Sequence, residues 1–265
     1  MLRPRLIVFL LLHNGGLYKT VNFKTPIYIG DPLNVVKIFN DFFVDELFLV
    51  DIDATTKDTL PNYDLIANIS SVSRMPLCYG GGIKSLQQIE KIISLGVEKI
   101  SISSAALESS KLIEEGSDMF GSQSIVGCID IKNSDSTKKY SVYTHNGSKK
   151  LEAGLFDIIQ KLTNSGIGEI VINSIDRDGT YLGYDIPIIK EVVNNSTVPI
   201  TVLGGAGSNK DIKELIEISG INGVAAGSLW SFKGSLKAVL PNYPDPIMKN
   251  KILNFWLIEL FLIIT

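Results

Sequence analysis

Short apolar, β-branched runs alternate with amphipathic stretches of helical period along the whole chain, and the pattern repeats at half its length. The predicted strands are Leu6–Leu12, Glu46–Asp51, Leu77–Tyr79, Lys99–Ile102, Ser124–Asp130, Glu169–Ser174, Ile200–Leu203 and Gly223–Ala226. Between them lie helix-period segments such as Pro32–Phe43, Ser85–Leu95, Leu155–Ser165, Ile186–Asn195 and Ser208–Ile218, several opened by a capping residue or an early proline. Strands this apolar are buried on both faces, which requires a parallel sheet covered by helices. The internal repeat decides between an open sheet and a closed barrel. Asp51-Ile-Asp53-Ala-Thr55 returns 125 residues later as Asp176-Arg-Asp178-Gly-Thr180, and Gly80-Gly81-Gly82 returns 124 residues later as Gly204-Gly205-Ala206. About twenty residues beyond each glycine cluster comes a strand ending in small residues, Ser103-Ser104-Ala105 in the first half and Ala226-Gly227-Ser228 in the second. Two such four-unit halves predict an α/β fold, a single (β/α)8 TIM barrel with a pseudo-twofold half-barrel repeat. The barrel is expected over residues 1–240, with half-barrels of about 1–120 and 121–240, and residues 241–265 as an apolar extension outside it.

Each set of motifs follows a strand, which in a barrel is the catalytic face. Gly80–Gly82 with Ser103 and Ser104, and Gly204 and Gly205 with Gly227 and Ser228, bring backbone N–H groups and hydroxyls to adjacent loops, a way to cradle phosphate without a basic patch. Two matched clusters predict a ligand phosphorylated at both ends. Asp51, Asp130 and Asp176 end or follow apolar strands and are the candidate acid–base groups, with loop tethering or a pairing with Lys19 as the structural reading. His13 and His145 sit beside Asn-Gly turn signals and read as loop histidines. Arg5, Glu46, Lys99 and Glu169 open the first, second, fourth and sixth strands, so they are expected to point into the bottom of the barrel as a ring of salt bridges.

Composition narrows the classes. With 25 Lys+Arg against 28 Asp+Glu the formal charge is −3, and no basic block is present, which argues against nucleic-acid binding. Cys78 and Cys128 lie in strand-like runs without metal-ligand spacing and read as buried free thiols, so neither a metal nor a cofactor is expected. Leu6–Leu12 follows Arg3 and Arg5 as a signal core would, but a turn rather than a cleavage site follows it, so it reads as a first strand. Ile252–Thr265 is too short to span a bilayer comfortably, and the protein is expected in the cytoplasm with no membrane partner.

Several motifs together resemble the cyclase subunit of imidazole glycerol phosphate synthase over about residues 1–240: Gly30-Asp31-Pro32, Leu49–Thr55, Tyr79–Ile83, Phe120–Gln123, Val142–His145, Ser174–Thr180, Gly183–Asp185 and Gly204–Gly207. The resemblance implies a barrel that takes ammonia from a glutaminase subunit, as a heterodimer, at the strand-beginning face and passes it through the core to a bisphosphorylated substrate. It also implies an ammonia-gate role for Arg5, Glu46, Lys99 and Glu169, and two catalytic aspartates at the ends of the first and fifth strands. Asp130 matches the second aspartate, but Leu11 stands where the first belongs. Leucine transfers no proton, so ring closure is the activity this sequence puts in question. The combination, with Phe9–Leu17 at the first strand, is similar to a cyclase-like paralogue group associated with surface-polysaccharide (lipopolysaccharide) biosynthesis, which implies ammonia supply to a sugar amidotransferase. An authentic cyclase of histidine biosynthesis and a catalytically silent phosphate-binding barrel are the alternatives.

Overall fold

A computed structural model of the protein describes residues 3–134, 139–219 and 221–253. Eight parallel strands close into a barrel: β1 (Arg5–His13), β2 (Glu46–Asp51), β3 (Leu77–Gly80), β4 (Lys99–Ile102), β5 (Ile125–Ser134), β6 (Glu169–Ser174), β7 (Ile200–Leu203) and β8 (Gly223–Ala226). The pairing of β5 with β6, with Glu169 opposite Val126, joins the two halves, and β1 beside β8, with Arg5 opposite Gly223, closes the ring. Side chains alternate across every strand. One set, including Ile7, Phe9, Phe48, Cys78, Val126 and Val171, fills the lumen. The other, including Leu6, Val8, Leu10, Leu47 and Leu49, packs outward beneath the helices.

A helix of nine or more residues follows each of β1 to β7: α1 (Pro32–Asp41), α2 (Tyr63–Val72), α3 (Leu86–Ser94), α4 (Lys111–Phe120), α5 (Leu155–Asn164), α6 (Ile186–Asn195) and α7 (Asn209–Ser219). Their starts are written in the sequence. Asp31 accepts the Asn34 N–H at 3.0 Å with Pro32 in the first turn, and Ser85 and Gln88 form a reciprocal capping box at α3. Val35, Val36 and Phe39 form the buried stripe of α1.

Two additions were not predicted as strands. The His13–Gly16 turn closes a hairpin, with Asn14 and Gly15 both at positive φ (48° and 76°), and leads into the antiparallel strands Gly16–Val21 and Lys24–Gly30. At the fifth unit Lys139–Thr144 folds back on β5, which runs on to Ser134 instead of stopping at Asp130. Beyond the barrel, α8 (Pro246–Leu253) lies across the strand-beginning side. Lys249 donates to Asp45 Oδ1 at 2.8 Å and to the Phe43 carbonyl at 3.0 Å, and Ile252 and Leu253 are buried. The remainder of the apolar tail, residues 254–265, lies outside the described residues. Among the described residues no helix is long and apolar enough to cross a membrane.

Candidate functional site

The two ends of the lumen differ in chemistry. At the bottom, Arg5, Glu46, Lys99 and Glu169 form a closed ring of alternating charge. Arg5 binds Glu46 through Nη1 and Glu169 Oε1 at 2.7 Å; Lys99 Nζ reaches Glu46 Oε1 at 3.1 Å and Glu169 Oε2 at 3.0 Å. Strand alternation brings the four together, since each opens its strand with the side chain pointing inward. Thr201, inward on β7 and fully buried, donates its hydroxyl to Glu169 Oε1 at 2.5 Å. Sequence reasoning missed this fifth member because a neutral residue in an apolar strand carries no charge signal. Burial alone would raise the Glu169 carboxyl, yet Lys99 and Arg5 carry it below its ordinary value; Glu46, without the threonine, is pushed up by its burial. Above the ring the lumen is apolar, with Phe9 stacked on Phe48 at 4.8 Å. Cys78 and Cys128 face this space as free thiols whose burial raises them well above the ordinary thiol value.

At the top the strand ends surround a cleft of about 800 Å³. Asp130, Lys19, Asp51, Gly81, Gly82, Ser103 and Ser104 line it together with Leu11 and His145. β1 and β5 are opposite staves of the barrel, so Leu11 and Asp130 stand on opposite sides of the mouth. Asp130 Oδ1 accepts from Asn173 Nδ2 at 2.9 Å. Burial pushes its carboxyl up to about 7, with the charge of Asp178 adding to the rise and the Asn173 donor opposing it. A carboxyl poised there exchanges protons at neutral pH. The Asn173 carbonyl oxygen is buried without a partner among the described residues.

Asp51 is held in place by its own loop: Oδ1 accepts from Asp53 N at 2.9 Å and Ala54 N at 3.1 Å, capping the short helix Ile52–Thr56. Burial raises this carboxyl, against those two donors. Asp176 is turned away from the cleft lining and accepts the Asn133 N–H at 2.7 Å. Its neighbour Asp178 takes the inward position, accepting from Thr20 Oγ1 at 2.7 Å, while its carbonyl takes Asn22 N–H at 2.9 Å. Those bonds strap the Gly16–Gly30 hairpin across the mouth. They seat Lys19, 3 % exposed, with Nζ on the Phe9 carbonyl at 3.3 Å; burial lowers the lysine, partly offset by Asp178. His145 is a cleft residue, whereas His13 is tied to Asp53 at 2.7 Å.

The two glycine clusters are not equivalent. Gly81, Ser103 and Ser104 keep partial exposure on the cleft, and the two hydroxyls have no hydrogen-bond partner among the described residues. Gly204, Gly205, Gly227 and Ser228 are all buried and lie outside the lining.

Residues 5–237, most of the barrel, match the sequence profile of the histidine biosynthesis protein family. The chain belongs to that family. A Leptospira borgpetersenii protein, provisionally named imidazole glycerol phosphate synthase subunit HisF, is 53 % identical over 245 residues, covering 92 % of this chain and 96 % of that protein. A Vibrio vulnificus protein with the same provisional name, marked hisF3, is 49 % identical over 253 residues, 96 % of this chain and 97 % of that one. The imidazole glycerol phosphate synthase subunit HisF of Leuconostoc mesenteroides is 35 % identical over 241 residues, 91 % of this chain and 94 % of that one.

Proposed function

We propose that the protein is the cyclase-type, ammonia-accepting subunit of a glutamine amidotransferase of the imidazole glycerol phosphate synthase kind, and that it delivers ammonia for sugar amidation in surface-polysaccharide biosynthesis. The observation that carries this reading is Leu11 facing Asp130 across an otherwise furnished mouth. Gly81, Gly82, Ser103 and Ser104 hold phosphate, Lys19 contributes charge beneath the hairpin, and Asp51 fixes the loop beside them. Asp130, at about 7, is a competent proton carrier, but Leu11, the residue of β1 that lines the opposite wall, transfers no proton. The passage below is suited to neutral ammonia: an apolar lumen penalises ammonium by desolvation, and the Arg5, Glu46, Lys99 and Glu169 gate must part for entry. A glutaminase subunit at that ring, in a cytoplasmic heterodimer, supplies the ammonia, and a sugar amidotransferase consumes it.

A second reading, an authentic cyclase yielding imidazole glycerol phosphate and aminoimidazole carboxamide ribotide, draws support from the neutral-range Asp130. Purified protein incubated with the ribulosyl-formimino nucleotide and an ammonium salt separates the two. Negligible turnover that rises at least about tenfold in Leu11→Asp supports the ammonia-supplying reading. Robust turnover by the unaltered protein refutes it.

A further inference from the structure

The charged ring is not symmetric, and a single neutral side chain makes the difference between its two carboxylates. Glu169 accepts from three strands at once: from Arg5 Nη2 on β1 at 2.7 Å, from Lys99 Nζ on β4 at 3.0 Å and from the Thr201 hydroxyl on β7 at 2.5 Å. The Glu46 carboxylate has, among the described residues, only the two cations as partners. Arg5 and Lys99 stand on long stems and are 28 % and 20 % exposed, so both can swing. Thr201 is fully buried and β-branched, and cannot. The fold makes room for its hydroxyl: Gly223 faces Thr201 across the β7–β8 ladder, and a Cβ there would fall 2.0 Å from Thr201 Oγ1. Parting the ring at Glu169 would strand that buried hydroxyl besides breaking two ion pairs, whereas parting it at Glu46 strands no neutral group.

Resting on the gate reading of this ring given above, we infer that Thr201 is the gate's positioning residue: its hydroxyl holds Glu169 as a fixed post, and the ring parts at Glu46 while Arg5 and Lys99 stay with Glu169. The two free thiols of the lumen report on such an event from opposite ends. Cys78 is fully buried in the lumen and pairs with Lys99 across the β3–β4 ladder, so a small reagent that passes the ring meets it. Cys128 lines the cleft and is met from the mouth.

Labelling of the full chain with methyl methanethiosulfonate, with the rate at each cysteine followed by peptide mass spectrometry, tests this. Thr201→Val keeps the shape and removes the hydroxyl; it is expected to speed labelling of Cys78 by about tenfold, the worth of a hydrogen bond to a charged group, and to leave Cys128 unchanged. Thr201→Ser, which keeps the hydroxyl, should label as the unaltered protein does. Glu46→Gln should speed Cys78 by about tenfold or more, and Glu169→Gln by less than about threefold, because the threonine still holds the amide oxygen. A Thr201→Val rate equal to that of the unaltered protein, or a Thr201→Ser rate as fast as Thr201→Val, overturns the role of the hydroxyl. A parallel rise at Cys128 marks a general loosening and overturns it as well. Faster labelling in Glu169→Gln than in Glu46→Gln places the parting at Glu169 and overturns the inference while leaving the gate intact. Unchanged Cys78 labelling in both glutamine variants overturns the gate reading itself.

Discussion

Asp130→Asn should make the protein more stable at alkaline pH, although it removes the best candidate proton carrier. The native carboxyl is lifted from an ordinary 3.8 to about 7, chiefly by burial. A raised folded-state value means that the native protein holds this proton to higher pH than the unfolded chain does. The cost of ionising the buried group is therefore absent below about pH 4, builds between about 4 and 7, and is complete above that range. At 1.36 kcal/mol per tenfold in proton affinity the full cost is about 4 kcal/mol, and cleft water at the carboxylate reduces it to roughly 2–4 kcal/mol. The asparagine carries no such cost, and its amide brings a donor next to the orphaned Asn173 Oδ1. Thermal midpoints of the two proteins should nearly coincide at pH 4.5 and separate by roughly 5–10 °C at pH 8, the variant being higher. A gap that does not grow with pH, or a less stable variant at pH 8, would refute the burial argument.

Other consequences are testable in parallel. Lys99→Ala leaves Glu46 and Glu169 short of a partner at two nearly inaccessible sites, so urea unfolding should show a loss of about 3–5 kcal/mol, and transfer of glutaminase-derived ammonia should fall further than ligand binding. Because Glu169 is held below its ordinary value, its share of the ring's stabilisation is present above the usual carboxylate range and disappears on acidification through that value; Glu169→Gln should flatten the acid limb of the stability curve. Ser85→Ala breaks a capping box and should cost about 1 kcal/mol by the same unfolding measurement. Ile252→Ala should cost about 2–4 kcal/mol if α8 is integral to the fold as its burial indicates, and a loss under about 0.5 kcal/mol would show that the helix is peripheral.

Much of the barrel was legible because its strands and helices follow periods the chain cannot disguise. Ile186–Asn195 is a helix over the residues predicted, and the charged ring follows from four strand-opening residues sharing one parity. The hairpin was not read, although Asn14-Gly15 marks its turn, because Gly16–Gly30 mixes exposed Ile27 and Tyr28 with buried Lys19 and Thr20, so its polarity is inverted for an edge strand. Asp176 and Asp178 lie in one irregular loop with no period to say which turns inward, and it is Asp178 that lines the cleft while Asp176 accepts from Asn133. The hydrogen bonds that Tyr181 and Gly183 make to Ser228 and Gly205 are tertiary contacts from the loop after β6, which local sequence does not connect to the second glycine cluster.

The ring has a consequence for how the halves of this molecule relate. Three of its charged members, Arg5, Glu46 and Lys99, belong to the first 120 residues, and one, Glu169, to the rest. Cut between α4 and β5, the first fragment would carry a surplus positive charge at its inner rim and the second an uncompensated negative one with Thr201 beside it. Each fragment would repel a copy of itself there and attract the other, and Thr20 would meet Asp178 across the opposite rim. Co-expressed halves should thus assemble as a one-to-one pair in preference to either homodimer, with partner choice encoded in a few partly buried charges rather than in the apolar seams that the two halves have in common.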